Sequence, residues 1–206
     1  MMAEAHAKAT GCPGVCFVTR GPGCANALAG LHVASQDSTP LMVFVGQVPR
    51  SFKQREAWQE VDVHALFDSV AKWAIDIQET ERLPEYLSRA FATAQSGRMG
   101  PVVMGLPEDL LYQTLSPVEL AGSTAVQGYP SPRDMHLLES LLSAARHPLM
   151  VVGGSGWTVE SRQQLESFVE KRVLPVVTAF RRQDRFDNSH AHYDGDAGLV
   201  AATALT

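Results

Sequence analysis

Apolar runs alternate with amphipathic segments along the first half of the chain. Short runs rich in Val, Met and Phe that end at glycine or proline predict strands, and small or apolar residues at helical spacing predict helices. The strands are predicted over 14–19, 40–46 and 100–109, and the helices over 2–11, 23–37 and 84–97. Apolar strands that alternate with helices are typical of a parallel sheet covered on both faces.

The same alternation returns in the second half, after a stretch rich in Pro, Gly, Ser and Thr. Helices are predicted over 133–148 and 158–173, strands over 149–154 and 174–180, and a polar loop over 181–196. The pattern therefore predicts an α/β protein with two open parallel-sheet domains. We assign 1–112 to the first domain, 113–132 to a linker and 133–206 to the beginning of a second domain.

Composition narrows the classes of partner. The chain has 206 residues, 45% of them hydrophobic, and a net charge of −5 without a basic stripe, which argues against nucleic acid. We find no apolar run long enough for a bilayer and no signal-peptide core, so we expect a cytoplasmic protein without a membrane partner. The spacing of Cys12, Cys16 and Cys24 lacks a close pair, which favours small buried side chains over a metal or redox site.

Glycine-rich turns follow the first two predicted strands. "RGPG" begins at Arg20 and "GQVP" begins at Gly46, both where ligands bind in open parallel sheets. Glycines let a ligand approach the backbone, and a helix N-terminus offers free amides. The spacing predicts a ligand edge over 21–26 and 46–49, with tight turns that bind nothing as the alternative.

The order of these motifs resembles one enzyme family. The segments "ATGCPGVCFVTRGPGCANALAGL", "DSTPLMVFVGQVPR", "AWQEVD", "AKWA" and "GPVVMGLPEDL" are similar to the pyrimidine-binding domain of thiamine diphosphate-dependent enzymes of the acetolactate synthase type. This resemblance covers Ala3 to Leu111. The second half, from "SAARHPLMVVGGSGW" to "DNSHAHYDGDAGL", resembles the first part of the central domain of that family.

The resemblance implies thiamine diphosphate with Mg²⁺ as cofactors, a 2-keto acid substrate, and a homodimer or homotetramer. It implies a cofactor pocket formed by Gly21, Pro22, Gly23, Asn26, Gly46 and Gln47. It also implies that Trp58, Gln59 and Glu60 lie near the substrate entrance and the partner subunit. Lys72 matches a family lysine, for which we expect an ion pair at a surface or interface.

Departures from the family pattern concern catalysis and the metal. The glutamate that activates the cofactor would lie upstream of Met1, and Glu4 matches no catalytic pattern. No diphosphate-binding domain is recognised, and "YDGDAG" at Tyr193 lacks the asparagine of the metal motif. We therefore expect no metal ligand and no catalytic residue here, and a fragment that is inactive by itself. The segments "AFRRQD" and "HYDGDAG" argue against FAD.

A further departure concerns the substrate. The family lysine of Pro-Lys-Asp is Glu108 here, and a carboxylate beside an anionic 2-keto acid should repel it. Arg181 and Arg182 offer an anion site or else a solvated loop. Two other functions remain open: a non-catalytic module that binds a partner, and a nucleotide-binding oxidoreductase suggested by "VVGGSG", whose glycine spacing does not fit the dinucleotide motif.

Overall fold

The structure, a computed structural model, describes residues 1–118, 126 and 128–198. It contains two compact units, Met1–Gln127 and Gly128–Thr206. The first unit runs through α1 (Met2–Thr10), β1 (Gly14–Val18), α2 (Gly21–Gln36), β2 (Leu41–Gln47), α3 (Val63–Phe67), β3 (Trp73–Asp76), α4 (Leu83–Gln95) and β4 (Pro101–Pro107). The second runs through α5 (Pro132–Ala144), β5 (Met150–Val152), α6 (Val159–Arg172), β6 (Val176–Thr178) and β7 (Tyr193–Asp196).

Each unit is built on a parallel sheet. The first sheet has the strand order β1-β2-β4-β3, and the second has the order β5-β6-β7. The predicted α/β class with parallel sheets is therefore confirmed. Two strands were not predicted: β3, and β7, which lies inside the predicted polar loop. Ser131 and Thr158 cap α5 and α6 through reciprocal hydrogen bonds with the third helical residue.

The two faces of the first sheet build separate cores, because successive strand residues point to opposite faces. Val43 and Val45 pack against α2 and α3 on one face, whereas Met42 and Phe44 pack with α4 residues on the other. Coverage is incomplete at β1, and this corrects the expectation of a sheet covered throughout. Its Val15 and Phe17 are 46% and 70% exposed, although the Phe17 ring stacks on Phe44. Among the described helices, none is both long and apolar enough to cross a bilayer.

Candidate functional site

The predicted glycine turns meet at one edge of the first sheet. Parallel pairing sets Val18 of β1 opposite Val45 of β2, and Gly46 of β2 opposite Leu106 of β4. The carboxyl ends of these strands therefore lie side by side. We call this the carboxyl edge, formed by the residues that end or follow β1, β2, β4 and β3.

The first turn of α2 begins directly after β1. The backbone N–H of Gly21 donates to the carbonyl of Gln59 at 2.9 Å, and Pro22 occupies the first helical turn, where its missing N–H costs nothing. A β-carbon at Gly21 would lie only 3.2 Å from the Gln59 oxygen. The expectation of free amides at this helix start is wrong for Gly21, because a neighbouring segment of the chain already uses its amide.

Gly23 and Asn26 continue the same helix. A β-carbon at Gly23 would lie 3.1 Å from side-chain atoms of both Val18 and Thr19, so packing against the end of β1 requires the glycine. Asn26 lies further along the helix, and its side chain is exposed. The helix start is thus fitted closely to β1, while Asn26 remains accessible.

The end of β2 differs from the end of β1. A β-carbon at Gly46 would meet nothing closer than the Val18 carbonyl oxygen at 3.8 Å, so packing does not require glycine here. The buried Gln47 donates from Nε2 to the Val61 carbonyl at 2.5 Å, and its Oε1 accepts from the Val48 amide at 3.2 Å. Gly46 therefore leaves room beside the backbone at a point where the neighbouring side chain is held in place.

The predicted entrance residues lie on the segment between β2 and α3. Trp58 is 78% exposed, and Gln59 adopts the left-handed conformation with a φ of 61°. The Glu60 carboxylate accepts from the amides of Gln54 at 2.6 Å and Ala57 at 3.2 Å. These bonds, the Gln54 amide first, hold the pKa of Glu60 below its usual range. Glu60 thus organises its own segment, while Trp58 presents an aromatic surface.

Glu108 lies at the carboxyl edge with a compensating charge. Its carboxylate pairs with the Arg20 guanidinium at 2.6 Å, across the end of β2. Arg20 offsets the charge of Glu108, and the expected repulsion of an anionic substrate by Glu108 stays a prediction. Next to it, Arg50 pairs with Asp109 at 2.7 Å. Burial acts to raise the pKa of Asp109, but hydrogen bonds from Arg50 and its charge outweigh burial and hold it below the usual range.

Sequence reasoning missed two charged residues at this edge. Asp76 ends β3, and its Oδ2 accepts from the ammonium of Lys53 at 2.6 Å. The Asp76 side chain is only 8% exposed, and its Oδ1 is buried without a hydrogen-bond partner. The sequence signal for Asp76 was its position at the end of a short run, Trp73–Asp76. That signal is informative only if the run is recognised as a strand.

Comparison with known proteins settles the family. Residues 1–66 match the thiamine pyrophosphate enzyme N-terminal TPP binding domain, and residues 136–206 match the central domain of the same enzymes. The chain belongs to the thiamine pyrophosphate-dependent enzyme family. Acetolactate synthase of Arthrospira platensis is 34% identical over 205 residues, which cover 96% of this chain and 35% of that protein. The isozyme 3 large subunit of acetolactate synthase from Escherichia coli K12 is 37% identical over 205 residues, 96% of this chain and 36% of that subunit.

Solved structures agree with this family assignment. A thiamin diphosphate-dependent enzyme from Mycobacterium smegmatis matches with a TM-score of 0.80 and 26% identity, over 95% of this chain and 38% of that one. Benzoylformate decarboxylase from Polynucleobacter necessarius has a TM-score of 0.83 at 24% identity, over 95% and 37% of the two chains, and shows the fold. The chain spans about a third of the length of the curated relatives that it matches.

Lys72 makes backbone hydrogen bonds, and among the described residues of this chain it has no ion pair; an ion pair across an interface stays a prediction. Its ammonium donates to the backbone carbonyls of Thr93 at 2.5 Å and Ser96 at 2.7 Å, at the end of α4. Burial of the ammonium lowers the pKa of Lys72. Lys72 therefore satisfies the last carbonyls of a helix, where a cation also opposes the negative end of the helix dipole.

The three cysteines of this family member differ in burial. Cys24 is buried, Cys16 is partly buried and Cys12 is exposed, so the prediction of buried side chains is right only for Cys24. Burial, followed by the charge of Asp76, raises the pKa of Cys24 to about 11. Cys24 therefore remains a neutral thiol at physiological pH.

Glu4 lies away from the carboxyl edge. It is buried in α1, where its carboxylate pairs with Lys8 at 2.5 Å and accepts from Thr39, just before β2, at 3.5 Å. Lys8 also pairs with Asp37 at 2.5 Å. This cluster fastens α1 and the end of α2 at the amino end of the sheet, so Glu4 takes no part in the candidate site.

In the second unit, the two arginines predicted as an anion site differ in exposure. Arg182 is buried, whereas Arg181 is exposed with a φ of 60°. The His190 ring lies 3.4 Å from a carboxylate oxygen of Glu170. Within residues 1–118, 126 and 128–198, no three His, Cys, Asp or Glu side chains are grouped so that they could hold a metal ion.

Proposed function

We propose that this chain is part of a thiamine diphosphate-dependent enzyme that decarboxylates or ligates 2-keto acids. The observation that carries the proposal is the carboxyl edge at Gly46. A glycine stands there although neighbouring atoms leave room for a β-carbon, which suits close approach of a ligand to the backbone. The family membership given by both halves of the chain identifies the class of ligand.

The residues at the edge fit the pyrimidine end of thiamine diphosphate. Gly46 would present its backbone to the flat ring, and Gln47 is held by Val61 so that the end of β2 keeps its shape. Gly21 and Asn26 would line the pocket from the start of α2. When bound, thiamine diphosphate supplies a thiazolium that stabilises negative charge developing on the substrate. The residues of this chain would bind and orient it.

The Arg20–Glu108 pair suits an anionic substrate. The hydrogen bond to Glu108 uses one of the five N–H donors of Arg20, and the Arg20 side chain is 24% exposed. Its other N–H groups can therefore donate to a substrate carboxylate beside the carboxyl edge. Because the charge of Arg20 offsets that of Glu108, the pair presents no net negative charge to a substrate anion. This supports a 2-keto acid as the substrate class.

The remaining features of the proposed enzyme follow its family. We expect Mg²⁺ to accompany the diphosphate, and we assign none of its ligands to the described residues. We expect a homodimer or homotetramer, with the exposed Trp58 near the partner subunit. We expect a cytoplasmic location.

Ligand-dependent thermal stabilisation of the native polypeptide tests the proposal. Thiamine diphosphate with Mg²⁺, NAD and FAD are added separately, and CO₂ release from pyruvate is measured in parallel. A ligand present at 100 times its Kd stabilises the folded state by about 2.7 kcal/mol. We expect stabilisation by thiamine diphosphate and its loss in Gly46→Val, whose side chain would fill the space at the end of β2.

The outcomes separate the competing functions. Stabilisation by NAD alone would support the nucleotide-binding oxidoreductase. A stable oligomer without affinity for any of the three would support the partner-binding module. CO₂ release by the isolated 206-residue chain would contradict the expectation that this segment is inactive by itself.

A further inference from the structure

The segment between β2 and α3 is held by polar contacts. We call residues 50–61 the strap; none of them is buried. Three of its residues, Gln54, Glu56 and Gln59, adopt left-handed φ values of 63°, 55° and 61°. Such a conformation persists in non-glycine residues only where surrounding contacts impose it. The strap therefore depends on its tethers for its shape.

The tethers join two sides of the carboxyl edge. At its beginning, Arg50 pairs with Asp109, and Lys53 pairs with Asp76. At its end, two carbonyls of the strap accept hydrogen bonds from residues of the proposed cofactor pocket. The Gln59 carbonyl accepts from the Gly21 amide, and the Val61 carbonyl accepts from Gln47 Nε2. A shift of the strap would consequently release the Gly21 amide and the Gln47 side chain.

Among these residues, Asp76 has the least favourable surroundings for a charged side chain. Its side chain is more than nine-tenths buried, yet only one carboxylate oxygen has a partner. The other oxygen lies against Gly105, where an added β-carbon would be 1.9 Å away. Buried polar atoms without partners are rare in folded proteins, and removing one partner of a buried ion pair leaves an uncompensated charge. The contact that Asp76 makes is the ion pair with Lys53.

We propose that Asp76 is a positioning residue of the carboxyl edge. Through Lys53 it holds the strap, and the strap fixes the backbone of Gly21 and the side chain of Gln47. The assignment of Gly21 and Gln47 to a cofactor pocket rests on the proposed function. The mechanical link from Asp76 to these residues rests on the contacts alone.

Amide hydrogen exchange in the native polypeptide tests the link, with thiamine diphosphate affinity as a second readout. The variants are Asp76→Asn and Lys53→Gln, and Lys53→Arg preserves the charge. The matched control is Arg55→Gln, which removes a positive charge from the same strap at an exposed residue whose side chain makes no ion pair with the described residues. Exchange is followed at the amides of Gly21, Gln54 and Ala57, and at the strands β2 and β4.

We expect Asp76→Asn and Lys53→Gln to raise exchange at Gly21 about tenfold, a loss of about 1.4 kcal/mol in local protection, and to weaken thiamine diphosphate binding by a similar factor. Exchange in β2 and β4 should not change, and Lys53→Arg should restore protection. Arg55→Gln should behave as the wild type.

Three results would overturn the proposal. One is unchanged exchange at Gly21 in a folded Asp76→Asn protein. The second is faster exchange throughout the sheet, which would mean that Asp76 supports overall stability rather than the strap. The third is an equal effect of Arg55→Gln. If Asp76→Asn does not fold, the Lys53 variants decide the question. If the wild type does not bind thiamine diphosphate, the proposed function fails, while the exchange data still test the link.

Discussion

Substitution of Gly105 by alanine examines the buried carboxylate directly. The new β-carbon would lie 1.9 Å from Asp76 Oδ1 and 3.3 Å from Gln47 Cγ. The Asp76 side chain is short and must rotate away, which breaks its 2.6 Å bond to Lys53. Overpacking costs about 1–3 kcal/mol, and a hydrogen bond to a charged group contributes about 1.5–3 kcal/mol. Lys53 is 40% exposed, so the lower part of the second range applies and we expect a loss of about 3 kcal/mol.

Urea unfolding followed by tryptophan fluorescence measures this loss, and Gly46→Ala is the matched control. Gly46 stands in the neighbouring strand, and its added β-carbon would meet no atom closer than 3.8 Å. Gly46→Ala should therefore change the free energy of unfolding by less than about 0.5 kcal/mol. The reasoning is refuted if Gly105→Ala is as stable as the wild type, or if the two variants lose equal stability.

Three further predictions concern charge and thiols. Glu108→Gln should change stability by less than about 1 kcal/mol, since the pair is partly exposed. In the whole enzyme that contains this segment, it should lower KM for a 2-keto acid in steady-state kinetics by freeing Arg20, and a higher KM would contradict this. Ellman's reagent at pH 8 should label the exposed Cys12 rapidly and the buried Cys24 only after denaturation, and rapid labelling of Cys24 would show the burial to be wrong. Because the pKa of Asp109 is lowered in the fold, its stabilising contribution is present above the unfolded value of about 3.9 and is lost as pH falls through the folded pKa. Asp109→Asn should flatten the acid limb of urea titrations, and an unchanged slope would exclude this contribution.

The sequence was sufficient for elements with a strong local signal. The runs that became β2 and β4 are apolar except for Gln47 at the end of β2, and α2 and α4 combine helical spacing with glycine or proline at their ends. The short edge strands β3 and β7 were missed. β7 contains Tyr193, Asp194, Gly195 and Asp196, a composition typical of loops, and pairing with β6 imposes its extended conformation.

The candidate site was predictable to the same extent. Glycine turns that directly follow apolar runs predict a ligand edge, because the whole signal lies within a few residues of sequence. The ion pairs do not, because Arg20 and Glu108 are separated by 88 positions and Lys53 and Asp76 by 23. Opposite charges so far apart become partners only when the strand order is known.

The open side of β1 has a practical consequence for work on the 206-residue chain. Among the described strands, β1 pairs with β2 alone, and Val15 and Phe17 present an apolar stripe beside its outer backbone groups. An edge of this kind is a template for strand addition by another copy. In dilute solution the chain should show a negative second virial coefficient, and its apparent mass in light scattering should rise with concentration. Val15→Lys would place a positive charge on the exposed face of β1 and so oppose this association. Concentrated samples for spectroscopy would then become accessible without any change to the carboxyl edge.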